Sequence, residues 1–370
     1  MKTTKHKIKI IISGGGTGGH IFPALAIAEE IKRRHVTANI LFVGAKGRME
    51  MEKVPAAGYR IIGLPVAGFR RKQLVKNFSV IFRLIVSLKK AKEIIKEFKP
   101  HIVVGVGGYA SGPMLRIAAR QGIPTLIQEQ NSYAGITNRL LAKKTKKICV
   151  AYPDMDKYFP TDKIVLAGNP VRSGLTDTRG KVSEARTYFN LEKKKPVLLI
   201  LGGSLGARTI NRSVIENLEL LVESEISVIW QTGTLYHSEA LEAMKSFSVK
   251  NIKIHDFISR MDLAYAIADV IISRAGAGTI SEICLVGKPV ILVPSPNVAE
   301  DHQTKNAMTL VDREAAEIVK DDEATEKLLP RALILLKDED RQKQLGKNIS
   351  KLALPDSAKL IVNEIEKLIQ

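Results

Sequence analysis

Apolar residues along this 370-residue chain fall into short β-branched runs separated by longer stretches with helical spacing. The runs predict strands at Ile8–Ile12, Ile40–Val43, Arg60–Ile62, Ile102–Val106, Thr125–Ile127, Ile148–Ala151 and Ile164–Ala167. Gly168-Asn169-Pro170 breaks the rhythm, and a second series follows at Val197–Leu201, Val228–Gln231, Ile252–Ile254, Val270–Ser273 and Val290–Val293. Short apolar runs alternating with helices belong to parallel sheets covered on both faces. The expected fold class is α/β, with two doubly wound, Rossmann-like domains across a cleft. In such sheets ligands bind beyond the carboxyl ends of the strands.

The first strand empties into a glycine cluster, with Gly14, Gly16 and Gly19 in G-x-G-x-x-G spacing before a helix carrying Pro23. Glycines there allow close backbone approach, and the helix start offers N–H groups to an anion. A tight strand-to-helix turn gives the same spacing without a ligand. A dinucleotide fold also needs an acid at the end of the second strand to hold the ribose. Here that strand ends in Gly44-Ala45-Lys46 and the first acid is Glu50, which argues against NAD or FAD. His20 closes the loop, where it is either structural or set beside a phosphorylated ligand. Two more turns follow: Gly105–Pro113, and Gln128-Glu129-Gln130-Asn131-Ser132, whose amides and carboxylate suit sugar hydroxyls.

Composition changes the picture in one respect. At 45% hydrophobic and 26% charged the chain is ordinary, but 57 Lys and Arg against 38 Asp and Glu leave a net charge of +19. Such a surface favours anionic partners. Only 5% of residues are aromatic, and there is no RNP-like or zinc-knuckle pattern, so nucleic acid ranks last among them. Cys149 and Cys284 stand in apolar surroundings and read as buried thiols. The start shows no signal peptide, and Phe78–Leu88, interrupted by Arg83, falls short of a membrane span. The chain is expected in the cytosol or on a membrane face.

Between Gly68 and Lys99 apolar residues mix with many cations. From about Ile81 the pattern reads as a crossover helix packed on the sheet. Phe69, Leu74 and Phe78, beside Arg70, Arg71, Lys72 and Lys76, read instead as contact with an anionic bilayer surface.

The second series carries Asp269–Pro294, in which a strand ends at Ser273, a small-residue turn follows, and Thr279 opens a helix containing Glu282. That arrangement fits a nucleoside diphosphate, with pyrophosphate on the helix start and ribose on the carboxylate. Asp301, His302 and Gln303 arrive at the neighbouring strand end.

Together these motifs resemble the MurG-type N-acetylglucosaminyltransferases that complete the lipid-linked disaccharide of peptidoglycan. The likeness is carried by Gly15–His20, Gly107–Pro113, Glu129-Gln130-Asn131, Gly168–Arg172, Gly202–Ala207, Ser273–Thr279 with Glu282, and Asp301-His302-Gln303 with Asn306-Ala307. It implies a GT-B fold, with an acceptor and membrane-side domain over 1–167, joined by a terminal helix at 355–370, and a donor domain over 168–354. The helical segment Asp356–Ile369 would cross back to the first domain near Leu354-Pro355. The resemblance implies transfer, with inversion, of N-acetylglucosamine from UDP-N-acetylglucosamine. The acceptor would be the 4-hydroxyl of undecaprenyl-diphosphate-linked N-acetylmuramoyl-pentapeptide, at the cytoplasmic face of the cell membrane. It places Arg172 and Ser204 at the diphosphate, Ile258 at the uracil, and Ala277, Gly278, Thr279, Ile280 and Ser281 at the phosphate turn. Glu282 falls at the ribose and Gln303 at the sugar hydroxyls, while Thr17, Gly18, Gly19 and Asn131 line the sugar and acceptor side. Two departures stand out: Gln128 where many relatives carry His, and a less acidic Ser259-Arg260-Met261-Asp262.

Inversion needs a base for the acceptor hydroxyl and charge stabilisation for the departing UDP. His20 is the first candidate base and Glu129 the second. No metal or other cofactor is called for, and Asp154-Met155-Asp156, though it spells D-x-D, reads as a solvated loop outside the donor domain. A glycolipid glycosyltransferase acting on diacylglycerol, a UDP-sugar 2-epimerase of the same fold, and a non-enzymatic nucleotide-binding regulator are the alternatives. The set of His20, Glu282 and Gln303 argues against the last.

Overall fold

Each apolar run becomes a strand whose alternate side chains enter different cores, and the covering of both faces explains why the runs carry so few polar residues. The computed structural model describes residues 7–66, 77–171, 175, 178–192, 194–203, 205–247, 250–298 and 301–370. It divides into two units, Met1–Arg172 with Asp356–Gln370, and Ser173–Pro355.

The first unit holds β1 (Lys9–Ser13), β2 (Asn39–Ala45), β3 (Arg60–Leu64), β4 (Ile102–Gly105), β5 (Thr125–Glu129), β6 (Lys147–Val150) and β7 (Ile164–Leu166). All pair in parallel, in the order β3-β2-β1-β4-β5-β6-β7. Ile10 and Ile12 of β1 face one core, with Ile27 and Ile31 of helix α1 (Gly18–Arg34). Ile11, between them, faces the other, with Ala91, Ile94 and Ile95 of a later helix. The terminal helix Ser357–Ile369 adds Ile361, Val362 and Ile365 to the α1 side.

The second unit repeats the plan with β8 (Val197–Leu201), β9 (Ser227–Gln231), β10 (Ile252–His255), β11 (Val270–Ser273), β12 (Val290–Leu292) and β13 (Glu317–Ile318), in the order β10-β9-β8-β11-β12-β13. Leu198 and Ile200 face one core, Val197, Leu199 and Leu201 the other. Every strand expected from the apolar runs is present. The edge strand β13 has only two half-buried residues and so leaves no run to detect.

In both sheets the chain reverses direction beside the first strand of the unit, where β1 lies between β2 and β4, and β8 between β9 and β11. Connections leave to opposite faces there, opening a crevice at the strand ends. The glycine turns after β1, β4, β8 and β11 all fall at these two points.

Helices α2 (Glu50–Ala56), α3 (Asn77–Phe98) and α4 (Ser111–Arg120) complete the crossovers that matter below. The position of α3 corrects one expectation. Residues from Ile81 were assigned to its packed face, yet Ile81, Phe82, Leu84 and Ile85 lie in solvent, Phe82 at 68% exposure. Val80 is buried, but after the exposed Ile81–Ile85 stretch packing resumes only at Ser87 and continues through Ala91, Ile94 and Ile95. Length explains it. A 22-residue helix at about 1.5 Å per residue outruns the five-residue β3 beside it, at about 3.3 Å per residue, and the turn from Ile81 to Ile85 overhangs. Phe69 and Leu74 lie outside the described residues, as does the side chain of Phe78 in the first turn of α3.

The terminal helix is clasped to α1 by charge. Arg34 donates to Glu30 at 2.7 Å, to Asn363 at 2.6 Å, to Glu366 at 2.9 Å and to the Lys359 carbonyl at 3.1 Å. His35 lies 2.7 Å from the other Glu366 oxygen. Arg33 hydrogen-bonds Glu30 through both carboxylate oxygens, and with Arg34 it outweighs burial and holds the Glu30 carboxyl at about 2. A carboxylate depressed in the fold contributes stability above its unfolded value near 4.5, and loses it as pH falls through about 2. Glu30→Gln is expected to cost about 1 kcal/mol at pH 7 and to flatten the acid limb of stability below pH 4.5, as read by urea unfolding across pH 3–7.

Candidate functional site

The end of β1 is tied down before the chain enters its glycine turn. Ser13 Oγ donates to the carbonyls of Val43 and Ala110, both at 3.1 Å, and the Gly14 N–H donates to Val43 at 3.1 Å. The turn after β4 lies directly against this one, since a β-carbon on Gly108 would stand 2.3 Å from the Gly15 carbonyl oxygen. Gly108 also takes φ +79°, which a side chain disfavours. Two glycine turns therefore form one surface.

His20 sits on that surface in the first turn of α1. Its Nδ1 lies 3.1 Å from Thr17 Oγ1, and a β-carbon on Gly107 would fall 2.8 Å from its Nε2. Thr17 thus spends its hydroxyl on the imidazole and makes no side-chain cap to the helix. The N–H groups of Gly18 and Gly19 are first-turn groups with no acceptor inside the helix. The arrangement brings Thr17, Gly18, Gly19 and His20 together.

The polar run after β5 has a different role from the one its composition suggests. Gln128, Glu129 and Gln130 are all buried. Gln128 Nε2 donates to Asn169 at 3.0 Å, Asn169 Nδ2 donates to the Gln130 carbonyl at 3.0 Å, and Gln130 Nε2 donates to the Val106 carbonyl at 2.8 Å and to Gln128 Oε1. These amides knot β5 to the β4 turn and to Gly168-Asn169, and only Asn131 and Ser132 are left half-exposed. Glu129 lies inside the fold at 1% exposure. Its carboxylate accepts the Asn138 amide at 2.8 Å, the Gly135 N–H at 3.0 Å and the Asn131 N–H at 3.1 Å. Burial raises its pKa, against those three donors. Geometry separates the two candidate bases: Glu129 organises the turn that carries Asn131, and His20 is the one on the surface.

In the second unit the turn after β11 is braced from beneath. Arg274 donates to the carbonyls of Val293 at 3.1 Å and Pro294 at 3.3 Å and pairs with Asp321, while Asn306 donates to the Ala275 carbonyl at 3.3 Å. Gly276 caps the helix Ala277–Val286. The N–H groups of Gly278 and Thr279 have no acceptor inside that helix, and a β-carbon on Gly278 would meet nothing within 4 Å. Glu282, one turn on, has one carboxylate oxygen held at 2.9 Å by the hydroxyl of the fully buried Tyr265.

Ile258 and Ile280 are each 2% exposed and belong to the core, so either can meet a ligand only through its backbone. The Ile258 N–H already donates to Gln231 at 3.1 Å. Ser281 Oγ donates to the Ala277 carbonyl at 2.9 Å, and Gln303 Oε1 accepts the Ser295 N–H at 2.8 Å. Arg172 and Ser204 lie outside the described residues. Asp154 and Asp156 are both exposed.

Sequence reading left Tyr265 unnoticed and gave Glu50, Arg274 and Asn169 no role of their own, although all four hold the site from behind. Tyr265 sits in an apolar helical run, Met261–Ile267, where its hydroxyl gives no signal.

Two family models match the chain: the glycosyltransferase family 28 N-terminal domain over residues 10–150 and the C-terminal domain over residues 197–361. A relative from Parabacteroides distasonis is 58% identical over 363 residues, covering 98% of this chain and 99% of its own. A second, from Porphyromonas gingivalis, is 52% identical, covering 98% and 96%. Both are named UDP-N-acetylglucosamine–N-acetylmuramyl-(pentapeptide) pyrophosphoryl-undecaprenol N-acetylglucosamine transferase. Among solved structures, MurG of Acinetobacter baumannii is similar at a TM-score of 0.78 and 28% identity, covering 98% of this chain and 99% of that one. A UDP-GlcNAc 2-epimerase from Neisseria meningitidis, at 0.67 and 16% identity over 98% and 100%, shares the fold.

The buried carboxylate of Glu129 gives this site a stability signature. Glu129→Gln replaces one acceptor oxygen by a donor facing either Asn138 and Gly135 together or Asn131, and is expected to cost about 2 kcal/mol. The check is a lowered thermal midpoint, with UDP binding by the surviving fold unchanged.

Proposed function

The chain belongs to glycosyltransferase family 28, and from that premise we propose how its two units divide the reaction. It is an N-acetylglucosaminyltransferase of the GT-B fold that carries N-acetylglucosamine from UDP-N-acetylglucosamine to the undecaprenyl-diphosphate-linked N-acetylmuramoyl-pentapeptide in peptidoglycan synthesis.

The second unit takes the donor. The open turn at Gly276–Thr279, with Glu282 fixed one turn behind it by Tyr265, is the observation that carries this reading. The diphosphate lies on Ala277, Gly278 and Thr279, with Ile280 and Ser281 continuing the first turn. There the N–H groups of Gly278 and Thr279 and the helix dipole meet its charge. The Glu282 oxygen turned from Tyr265 accepts from the ribose hydroxyls. Gln303 meets the sugar hydroxyls, the backbone at Ile258 the uracil, and Arg172 and Ser204 add contacts to the diphosphate.

The first unit takes the acceptor, along Thr17, Gly18, Gly19 and Asn131. His20 removes the proton from the 4-hydroxyl as that oxygen bonds to the anomeric carbon, on the face opposite the leaving UDP, and the configuration inverts. Thr17 orients the ring through Nδ1. The departing β-phosphate oxygen gains charge as the glycosidic bond breaks, and the helix start meets it with dipoles already in place.

Two substitutions separate the halves of this account. His20→Ala should lower kcat by at least about 100-fold with little change in donor affinity. Glu282→Gln should raise KM for UDP-N-acetylglucosamine by about 10-fold. Steady-state kinetics with the muramoyl lipid read both, and an effect of His20→Ala confined to KM would rule it out as base.

The chain reaches its lipid acceptor as a peripheral protein. No helix among the described residues is long and apolar enough to cross a membrane. The overhanging turns of α3 expose Ile81, Phe82 and Ile85 beside Arg83 and Lys89, which suits an anionic bilayer surface, and Phe69, Leu74 and Phe78 extend the same chemistry toward the N-terminus. Phe82→Ser with Ile81→Ser is expected to lower sedimentation with anionic liposomes by about 10-fold while leaving UDP binding intact. Unchanged sedimentation would move the contact elsewhere.

A further inference from the structure

Helix α2 begins with a carboxylate that does not point outward. Glu50 is 1% exposed. Its Oε2 accepts the Gly16 N–H at 3.0 Å, and its Oε1 accepts the Ala45 N–H at 2.8 Å. A buried carboxylate is tolerated only when hydrogen-bonded, and here two backbone donors meet it, one from each side.

The surrounding sequence is cut to admit this side chain. A β-carbon on Gly15 would fall 2.1 Å from Glu50 Oε1, and one on Gly44 would fall 2.5 Å from Glu50 Cγ. Gly15 belongs to the first glycine turn and Gly44 to β2, so both walls of the slot lack side chains where the carboxyl group passes. A glycine turn that precedes a helix ordinarily presents such N–H groups to a bound phosphate. In this chain one of them already holds an anion.

We propose that Glu50 is the built-in anion of the first glycine turn. Its carboxylate occupies the Gly16 N–H that a bound phosphate would take, and so fixes the turn leading into Thr17 and His20. The consequence is twofold. Phosphate is barred from the inner part of this turn by occupancy and by like charge, so phosphorylated ligands at this unit are confined to the outer rim. And the imidazole is carried by a turn whose backbone is anchored to a second helix, which makes Glu50 a positioning residue for transfer. This second part rests on the reading of His20 as base.

Two measurements test the two parts separately. In the first, inorganic pyrophosphate is titrated into the wild-type protein while the Gly16 and Ala45 amide resonances are followed. Both should stay in place, because both already bond Glu50. Joint movement of the two amides would put phosphate in the slot and overturn the proposal, and movement of Gly18 and Gly19 without Ala45 would support it by locating the anion at the rim. In the second, Glu50→Gln keeps the shape but places a donor against one of the two N–H groups. It should lower kcat by about 10-fold or more while KM for UDP-N-acetylglucosamine stays within about twofold. Wild-type kcat in a folded Glu50→Gln protein would overturn the positioning role. If that variant does not fold, the wild-type titration still decides the occupancy.

Discussion

Parallel strands covered on both faces impose the constraint from which the rest of this molecule follows. A parallel pair cannot be joined by a tight hairpin, so the chain must climb over one face through a helix before each new strand. Every strand then ends at the same edge of its sheet, and every turn into a helix gathers there. Where strand order reverses beside β1 and β8, neighbouring turns part to opposite faces and leave room between them. The chain spends its glycines at those places because backbones approach one another more closely than a side chain permits, as Gly108 does with Gly15.

The two units meet that shared geometry with opposite chemistry. In the second, the turn after β11 is held from below by Arg274 and Asn306, and the space beside Gly278 is open. In the first, the turn after β1 is held from within by a carboxylate, and the exposed chemistry is that of an imidazole and a hydroxyl. In the proposed reading one turn takes the diphosphate and the other removes a proton. A transferase needs both.

The fold was legible because burial on two faces writes itself as runs of Ile, Val and Leu, and twelve of these runs gave strands. What escaped was set by length or by contact across the chain. The edge strand β13 is too short to leave a run, and the overhang of α3 depends on how far the sheet beneath it extends. At the site, the glycine turns and His20 were readable from local spacing, since a strand–turn–helix junction is a local object. Glu50, Tyr265 and Asn169 were not, because each acts on a partner far along the chain: Gly16, Glu282 and Gln128. The polar run Gln128–Gln130 misled for the same reason. Its composition suits a sugar, but its amides close on Val106 and Asn169 instead. The first acid after β2, Glu50, turns inward, where it accepts the Gly16 and Ala45 N–H groups.

The central claim is that nucleotide chemistry belongs to the second unit alone, despite a glycine turn in each. Hydrogen–deuterium exchange with and without saturating UDP measures this directly, because backbone N–H groups that bond a phosphate exchange more slowly. The account predicts slowed exchange over Ala275–Glu282 and none over Ser13–His20. Slowed exchange over Ser13–His20, or unchanged exchange over Ala275–Glu282, would contradict it.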